Sequence, residues 1–391
     1  MTLKKNTWAS IQIGNIVSEL RNSSSNPVKD GYDRYVGFEH IESENIHLKQ
    51  FGDLNDGVSF KKTFQKNDVL FGKIRAYLKK VAVAPIDGIC SGDILVLRTK
   101  DEKRLSQELL AYFLTTESFL KRAVDSSIGT TLPRTKWQHL SKHEIPLPPL
   151  KEQKQIVALL QSIETAMDLV DEQEKNLKAL RLKLIDSLCE RDESILKALN
   201  TSEWKKCKIE DVAFWYQRDI PNDKQREEGI ENYIAADHIE SGEIFISKKG
   251  TLSDGKKGPT ITKHFREGDF LLSTRSVALH KAAIAKVNGV TGEKLIVIDV
   301  LEKSKIIKGL LPYVMHSSKF WSFAKITASG SVNKFSSWNK IKMYEFYLPS
   351  IKEQQQILDI FIQLETVLDQ LKQQKATLKN LKQKLLNEIL G

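Results

Sequence analysis

Along two segments of this chain, apolar residues recur at spacings that alternate four and three. The first series runs Ile156, Leu160, Ile163, Met167, Val170, Glu174, Leu177, Arg181, Leu184 and Leu188. The second runs Ile357, Phe361, Leu364, Leu368, Leu371, Lys375, Leu378, Lys382, Leu385 and Ile389. This alternation, sustained over more than four heptads, predicts long helices that pair along a seam. Polar residues interrupt both series at aligned places, Glu174 with Lys375 and Arg181 with Lys382, which weakens half of each seam and favours one partner or register. Ser350 and Glu353 have capping-box spacing, and Pro149 holds the aligned place in the first series, so both helices are expected to begin there. Roughly 37 helical residues at 1.5 Å rise extend about 55 Å, the size of a spacer.

The stretches before these helices mix two other patterns. Residues 69–75, 80–84 and 94–98 are rich in branched apolar residues and punctuated by Gly72, Asp87-Gly88 and Gly92, which predicts strands and turns. Over 105–124, Leu109, Tyr112, Phe113, Phe119, Leu120 and Ala123 fit one helical face, and 307–326 repeats that face with Leu311, Val314, Met315, Trp321 and Phe323. The fold class is therefore α+β, two globular domains each followed by a long helix, with the two helices pairing as a coiled coil.

The whole plan is written twice. Leu147-Pro148-Pro149-Leu150-Lys151-Glu152-Gln153 returns as Leu348-Pro349-Ser350-Ile351-Lys352-Glu353-Gln354. Phe265, Asp269, Gly330, Trp338 and Glu345 each stand 201 positions after Phe64, Asp68, Gly129, Trp137 and Glu144, and the identical tetrapeptides at 40–43 and 238–241 lie 198 apart. Small drifts of this kind are expected where loops differ between two copies of one fold. The expected organisation is a domain over 1–149, a helix over 150–190, a connector over 191–203, a second domain over 204–349 and a second helix over 350–391.

Composition narrows the class. The chain has 391 residues, 40% of them hydrophobic, enough for two real cores. Cys90, Cys189 and Cys207 are odd in number and scattered, which supports neither a disulfide framework nor a zinc site. With no apolar stretch of membrane-spanning length, a cytoplasmic protein with no membrane partner is expected. The net charge of +10 is unevenly placed: +5 over 1–150 and +6 over 201–350, against −2 over 151–200 and +1 over 351–391. A basic excess confined to the globular parts is the footprint of a polyanion partner.

The duplicated Leu-Pro-Pro-Leu-Lys-Glu-Gln segment, together with 68–75 and 268–275, resembles the specificity subunit of a Type I restriction-modification enzyme, over nearly all of the chain. The resemblance implies two target-recognition domains, joined by long helices that pair as an antiparallel coiled coil, reading a bipartite, asymmetric site on double-stranded DNA with an unspecified gap. It also implies docking of two methyltransferase (modification) subunits and of restriction (endonuclease/translocase) subunits, the chain itself being noncatalytic. S-adenosylmethionine, ATP and Mg are then expected only in partner subunits, which agrees with the lack of an Asn/Asp-Pro-Pro-Tyr/Phe, G-x-G-x-x-G or Walker A segment. Two other readings remain open at this point: a duplicated coiled-coil assembly protein that meets no DNA, and a self-contained DNA-modifying enzyme.

Candidate DNA contacts combine basic, aromatic and hydroxyl side chains near predicted turns. In the first copy these are Lys61, Lys62, Lys73, Arg75, Tyr77, Lys79, Lys80, Thr130, Thr131 and Arg134. In the second they are Lys248, Lys249, Lys256, Lys257, Arg275, His280, Lys281, Ser331, Asn333 and Lys334. Arg75 and Arg275 follow matching strands at nearly matching places. Trp137 and Trp338 are expected to pack rather than stack on bases. No residue is expected to be catalytic or to bind metal; Glu152-Gln153-Lys154 spells a nuclease-like E-x-K, but an acidic residue in a first helical turn suits the helix dipole.

Overall fold

The branched apolar runs form strands buried on both faces. The computed structural model describes residues 5–192, 204–275, 277–301, 305–330 and 334–391, so the expected connector lies almost wholly outside the described residues. Val69–Gly72 sits between Ile94–Thr99 and Val81–Val83, with Val17–Leu20 beyond Ile94–Thr99, in an antiparallel four-stranded sheet. Val69, Phe71, Leu95 and Leu97 face a helical layer, whereas Leu70, Ile94 and Val96 face a second sheet. That sheet has the order Gly52–Asp53, Arg34–Val36, Gly88–Cys90, Lys62–Phe64, its inner pair parallel. With neither face exposed to water, the inner strands read as continuous apolar runs rather than as an alternation. A two-stranded sheet pairs Ala9–Gln12 with Glu144–Leu147.

The second copy repeats each sheet. Ala213–Tyr216, Leu295–Val300, Phe270–Ser273 and Ala282–Ile284 form one; Gly250–Thr251, Asn232–Ile234, Gly289–Gly292 and Ile261–Phe265 form another; Lys205–Lys208 pairs with Glu345–Leu348. The helical layers differ from the single helices expected over 105–124 and 307–326. Gln107–Phe113 and Glu117–Asp125 are separate because Thr116 takes an extended backbone and its hydroxyl accepts from the Phe119 N–H. Ser317 does the same for Phe320 ahead of Ser318–Thr327. A capping hydroxyl ends one helix and starts the next without breaking the apolar face.

The long helices run Leu150–Glu190 and Ile351–Leu390. Ser350 caps the second through the expected box, its N–H donating to Glu353 Oε2 at 2.9 Å. The duplicated Gln is a buried staple. Gln153 accepts from the Ser106 N–H and donates to the carbonyls of Arg104 and Pro148; Gln354 accepts from the Ile307 N–H and donates to those of Lys305 and Pro349. Glu152 accepts from the Trp8 indole at 2.9 Å, a packing role for the E-x-K glutamate.

Two units share these helices: residues up to Asp171 with Gln373–Gly391, and Glu172–Lys372. In the first, Leu386, Ile389 and Leu390 join Ile156 and Leu160 in the core; in the second, Ile185, Leu188 and Cys189 join Ile357 and Phe361. The start of one helix meets the end of the other, so the pairing is antiparallel. Of the seam positions, Ile156, Leu160, Ile163, Val170, Ile357, Phe361, Leu368 and Leu371 are buried, and Met167, Leu177, Leu184, Leu364, Leu378 and Leu385 are half-buried. Near their ends both helices bury Ile185, Cys189, Leu386 and Leu390 as well, because there they touch a globular core and not merely another helix.

The polar interruptions are paired within each unit. Lys382 Nζ lies 2.6 Å from Glu164, which also accepts from the Tyr112 hydroxyl at 2.8 Å and meets His47 Nε2 at 3.0 Å. Arg181 donates to Glu365 at 2.7 Å and to the Gly242 carbonyl at 2.6 Å. Burial opposes the charge on Glu164, but His47, Lys382 and Tyr112 outweigh it and hold the carboxyl below its usual range. At Glu365 burial prevails over Arg181 and the carboxyl is raised. The hydrogen bond to Glu164 also raises the His47 imidazole, so E164Q should return it towards 6.5 in an NMR titration. Because the folded value is the higher one, the contribution of His47 is complete below pH 6.5 and lost as pH rises through the folded value; a His47 titration unmoved by E164Q would show that the two groups are not coupled.

Candidate nucleic-acid interface

Beyond the inner strand of the first unit, two loops are laced together. The Lys73 N–H donates to the Asp93 carbonyl at 3.0 Å, the Arg75 N–H to that of Pro133 at 2.9 Å, and the Thr135 N–H to that of Lys73 at 2.9 Å. Arg134 forms bridges with both Ile74 and Ile128. Arg75 and Lys79 hold left-handed backbones, φ 46° and 52°, on either side of a tight turn over Ala76–Leu78. Such residues are strained and persist where surrounding bonds over-determine them. Gly129, at φ 109°, supplies the positive φ that lets 128–134 fold back. These loops bring together Lys73, Arg75, the exposed Tyr77, Thr130 and Thr131, and Arg134, whose guanidinium donates to Asp93 at 3.0 Å.

The second unit has the same frame. The Thr274 N–H donates to the Lys294 carbonyl and the Ser336 N–H to that of Thr274, each at 2.9 Å, and Phe335 bridges Arg275 and Ser329. By this pairing Arg275 stands where the first unit has Ile74, one place before Arg75. Arg275, Lys334 and Phe335 are exposed. Ser331 and Asn333 lie outside the described residues. Sequence reading passed over Lys294 and Phe335, although alignment with Asp93 and Arg134 at the 201-residue offset marks both as changes of chemistry.

Several candidate cations serve the fold instead of these loops. Lys62 donates to the Ile94 carbonyl at 2.9 Å, and burial lowers its pKa. Lys80 and Lys281 occupy equivalent places and donate to the carbonyls of Phe38 at 2.8 Å and Ala236 at 2.7 Å. Lys79 pairs with Glu44 and Lys248 with Glu240. Lys257 donates to Asn222 and the Ile261 carbonyl. His280 is left-handed, like the equivalent Lys79, and stacks on Trp321 at 4.8 Å. Lys61, Lys249 and Lys256 are exposed. Trp137 and Trp338 pack against the cores of their units. His40 and His238, from the duplicated tetrapeptide, accept from the backbone N–H of Gly37 and Ala235.

A family model, the Type I restriction modification DNA specificity domain, matches residues 7–179 and again 201–380. The chain belongs to this family. It is 28% identical to the EcoDI specificity subunit of Escherichia coli over 205 residues, 51% of this chain but 44% of that subunit, so it spans under half of that relative. It is 22% identical to the MjaVIII specificity subunit of Methanocaldococcus jannaschii across 98% of this chain and 92% of that one. Among solved structures, a chain from a study of complex assembly and conformational transition of the type I R-M system superposes with a TM-score of 0.59, at 20% identity and 97% coverage of both chains. The S subunit from M. genitalium gives 0.55 at 16% identity, covering 100% of this chain and 98% of that chain. These likenesses carry the fold, in which a specificity domain occurs twice. Among the described residues no helix is long and apolar enough to cross a membrane.

Proposed function

We propose that this member of the specificity-domain family is the noncatalytic DNA-reading subunit of a Type I restriction-modification complex, and that each unit reads one part of a two-part site on double-stranded DNA. The observation that carries the reading is the loop frame beyond the inner strand, built twice with the same backbone bonds and furnished with cations, hydroxyls and an exposed ring. Lys73, Arg75, Tyr77, Thr130 and Thr131 would face DNA in one unit, and Arg275, Lys294 and Lys334 in the other. Phosphate contacts would set the register and base contacts the letters.

The partners follow from the same reading. Ile360 and Val367 of the second unit, seven residues apart on one face of the helix Ile351–Leu390, are left 44% and 42% exposed, an apolar face suited to a methyltransferase subunit. S-adenosylmethionine, ATP and Mg would be held by the methyltransferase and restriction subunits, and the complex would work in the cytoplasm. The test is selection of duplexes from a randomised pool by the chain with its methyltransferase subunit. A two-part motif is expected, and exchanging residues 1–145 for another such domain should rewrite one part only. Rewriting of both parts would show that the units do not read separately, and absence of any motif would favour the assembly-protein reading.

A further inference from the structure

The two loop frames share their backbone but not their electrostatics. In the first unit Arg134 and Asp93 neutralise each other at 3.0 Å. In the second, Phe335 replaces the arginine, Lys294 replaces the aspartate, and Arg275 stands in place of Ile74. Neither Arg275 nor Lys294 has an ion pair among the described residues. Both line a hollow of about 1110 Å³ that also takes in Thr274, Phe335 and two carboxylates, Asp237 and Glu293.

That mixture selects among ligands. A phosphate backbone lying in the hollow would gain from two cations and lose to two carboxylates, so phosphate binding alone does not explain the lining. A base-pair edge offers both signs of partner. Guanine O6 and N7 accept from a guanidinium fork, and the cytosine amino group donates to a carboxylate. We infer that the hollow of the second unit receives the major-groove edge of a G·C pair, with Arg275 as its specificity-determining residue on guanine. Asp237 or Glu293 accepts from the cytosine amino group, and Lys294 meets the adjoining phosphate. The first unit, with Arg134 tied to Asp93, lacks this device. The inference rests on the DNA-reading function proposed above and adds the letter and the residue.

The experiment is the same duplex selection with the assembled complex, comparing wild type, R275A, R275K and K294A. R275A should lower the preference for guanine at one position of one part of the motif by about 10- to 100-fold, leaving the other part intact. R275K keeps the charge but not the fork, so it should hold total affinity and lose the same letter, and it decides the matter if R275A does not fold. K294A should weaken binding to all sequences alike and make the salt dependence shallower by about one phosphate. A wild-type motif that survives both Arg275 variants overturns this inference alone, as does a loss of affinity in R275A that is uniform across sequences. A wild-type complex that selects no motif overturns the DNA-reading function itself.

Discussion

Replacing Arg181 by alanine is expected to destabilise the unit formed by Glu172–Lys372 by about 3 kcal/mol, because it leaves the largely buried carboxylate of Glu365 without its cation. The guanidinium is 7% and the carboxylate 13% exposed, and the second guanidinium nitrogen holds the Gly242 carbonyl. Both bonds would be lost together. The defect should depend on pH in a defined direction. Glu365 already has a raised pKa, chiefly from burial, and loss of Arg181 raises it further. A carboxyl whose folded value exceeds its unfolded one binds its proton more readily when folded, so its penalty is small near pH 4.5 and grows as pH rises through the folded value. Urea unfolding at two pH values checks the sign. The double variant R181L/E365L, which removes both charges, should recover most of the loss, and hydrogen exchange should place the R181A defect within 172–372. A defect equal at acid and neutral pH would mean that the uncompensated carboxyl is not its cause.

Arg181 also shows how far the chain could be read before its structure. The 4-3 spacing located both helices, their pairing and the two interruptions, because helix periodicity and the apolar face are local properties of sequence. The partner of each interruption was not legible: Arg181 answers Glu365, and Lys382 answers Glu164, 218 positions earlier in the chain. The 105–124 segment shows a second limit, since apolar spacing continues across Thr116 while the backbone does not. Among the candidate contacts the limit is orientation. Lys62, Lys80 and Lys281 look like surface charges, yet each turns its ammonium group to a backbone carbonyl, which a long apolar stem permits. The pairing of Arg275 with Phe335 depends on which loops lie side by side. A one-residue difference between the copies was therefore enough to make Arg75 and Arg275 look equivalent when they are not.

The largest loss from a single apolar truncation is expected at Phe361. Its ring is 2% exposed and stacks on Tyr313 with centroids 4.2 Å apart and planes 9° from parallel, where the helix Ile351–Leu390 meets the core of the second unit. F361A removes the ring contact and leaves a cavity in the core beneath the helix, so it should cost about 3–5 kcal/mol. F361L keeps most of the volume and should cost about 1.5 kcal/mol or less. The aligned residue of the first unit, Leu160, is also buried, but there Tyr112 directs its hydroxyl to Glu164. L160A should therefore cost less than F361A, through lost packing alone. Urea midpoints with unchanged slopes would measure the series. If F361A behaved like a surface substitution, within about 0.5 kcal/mol, the helix would not be part of the core of the second unit, and the duplicated seam would have to be explained by helix pairing alone.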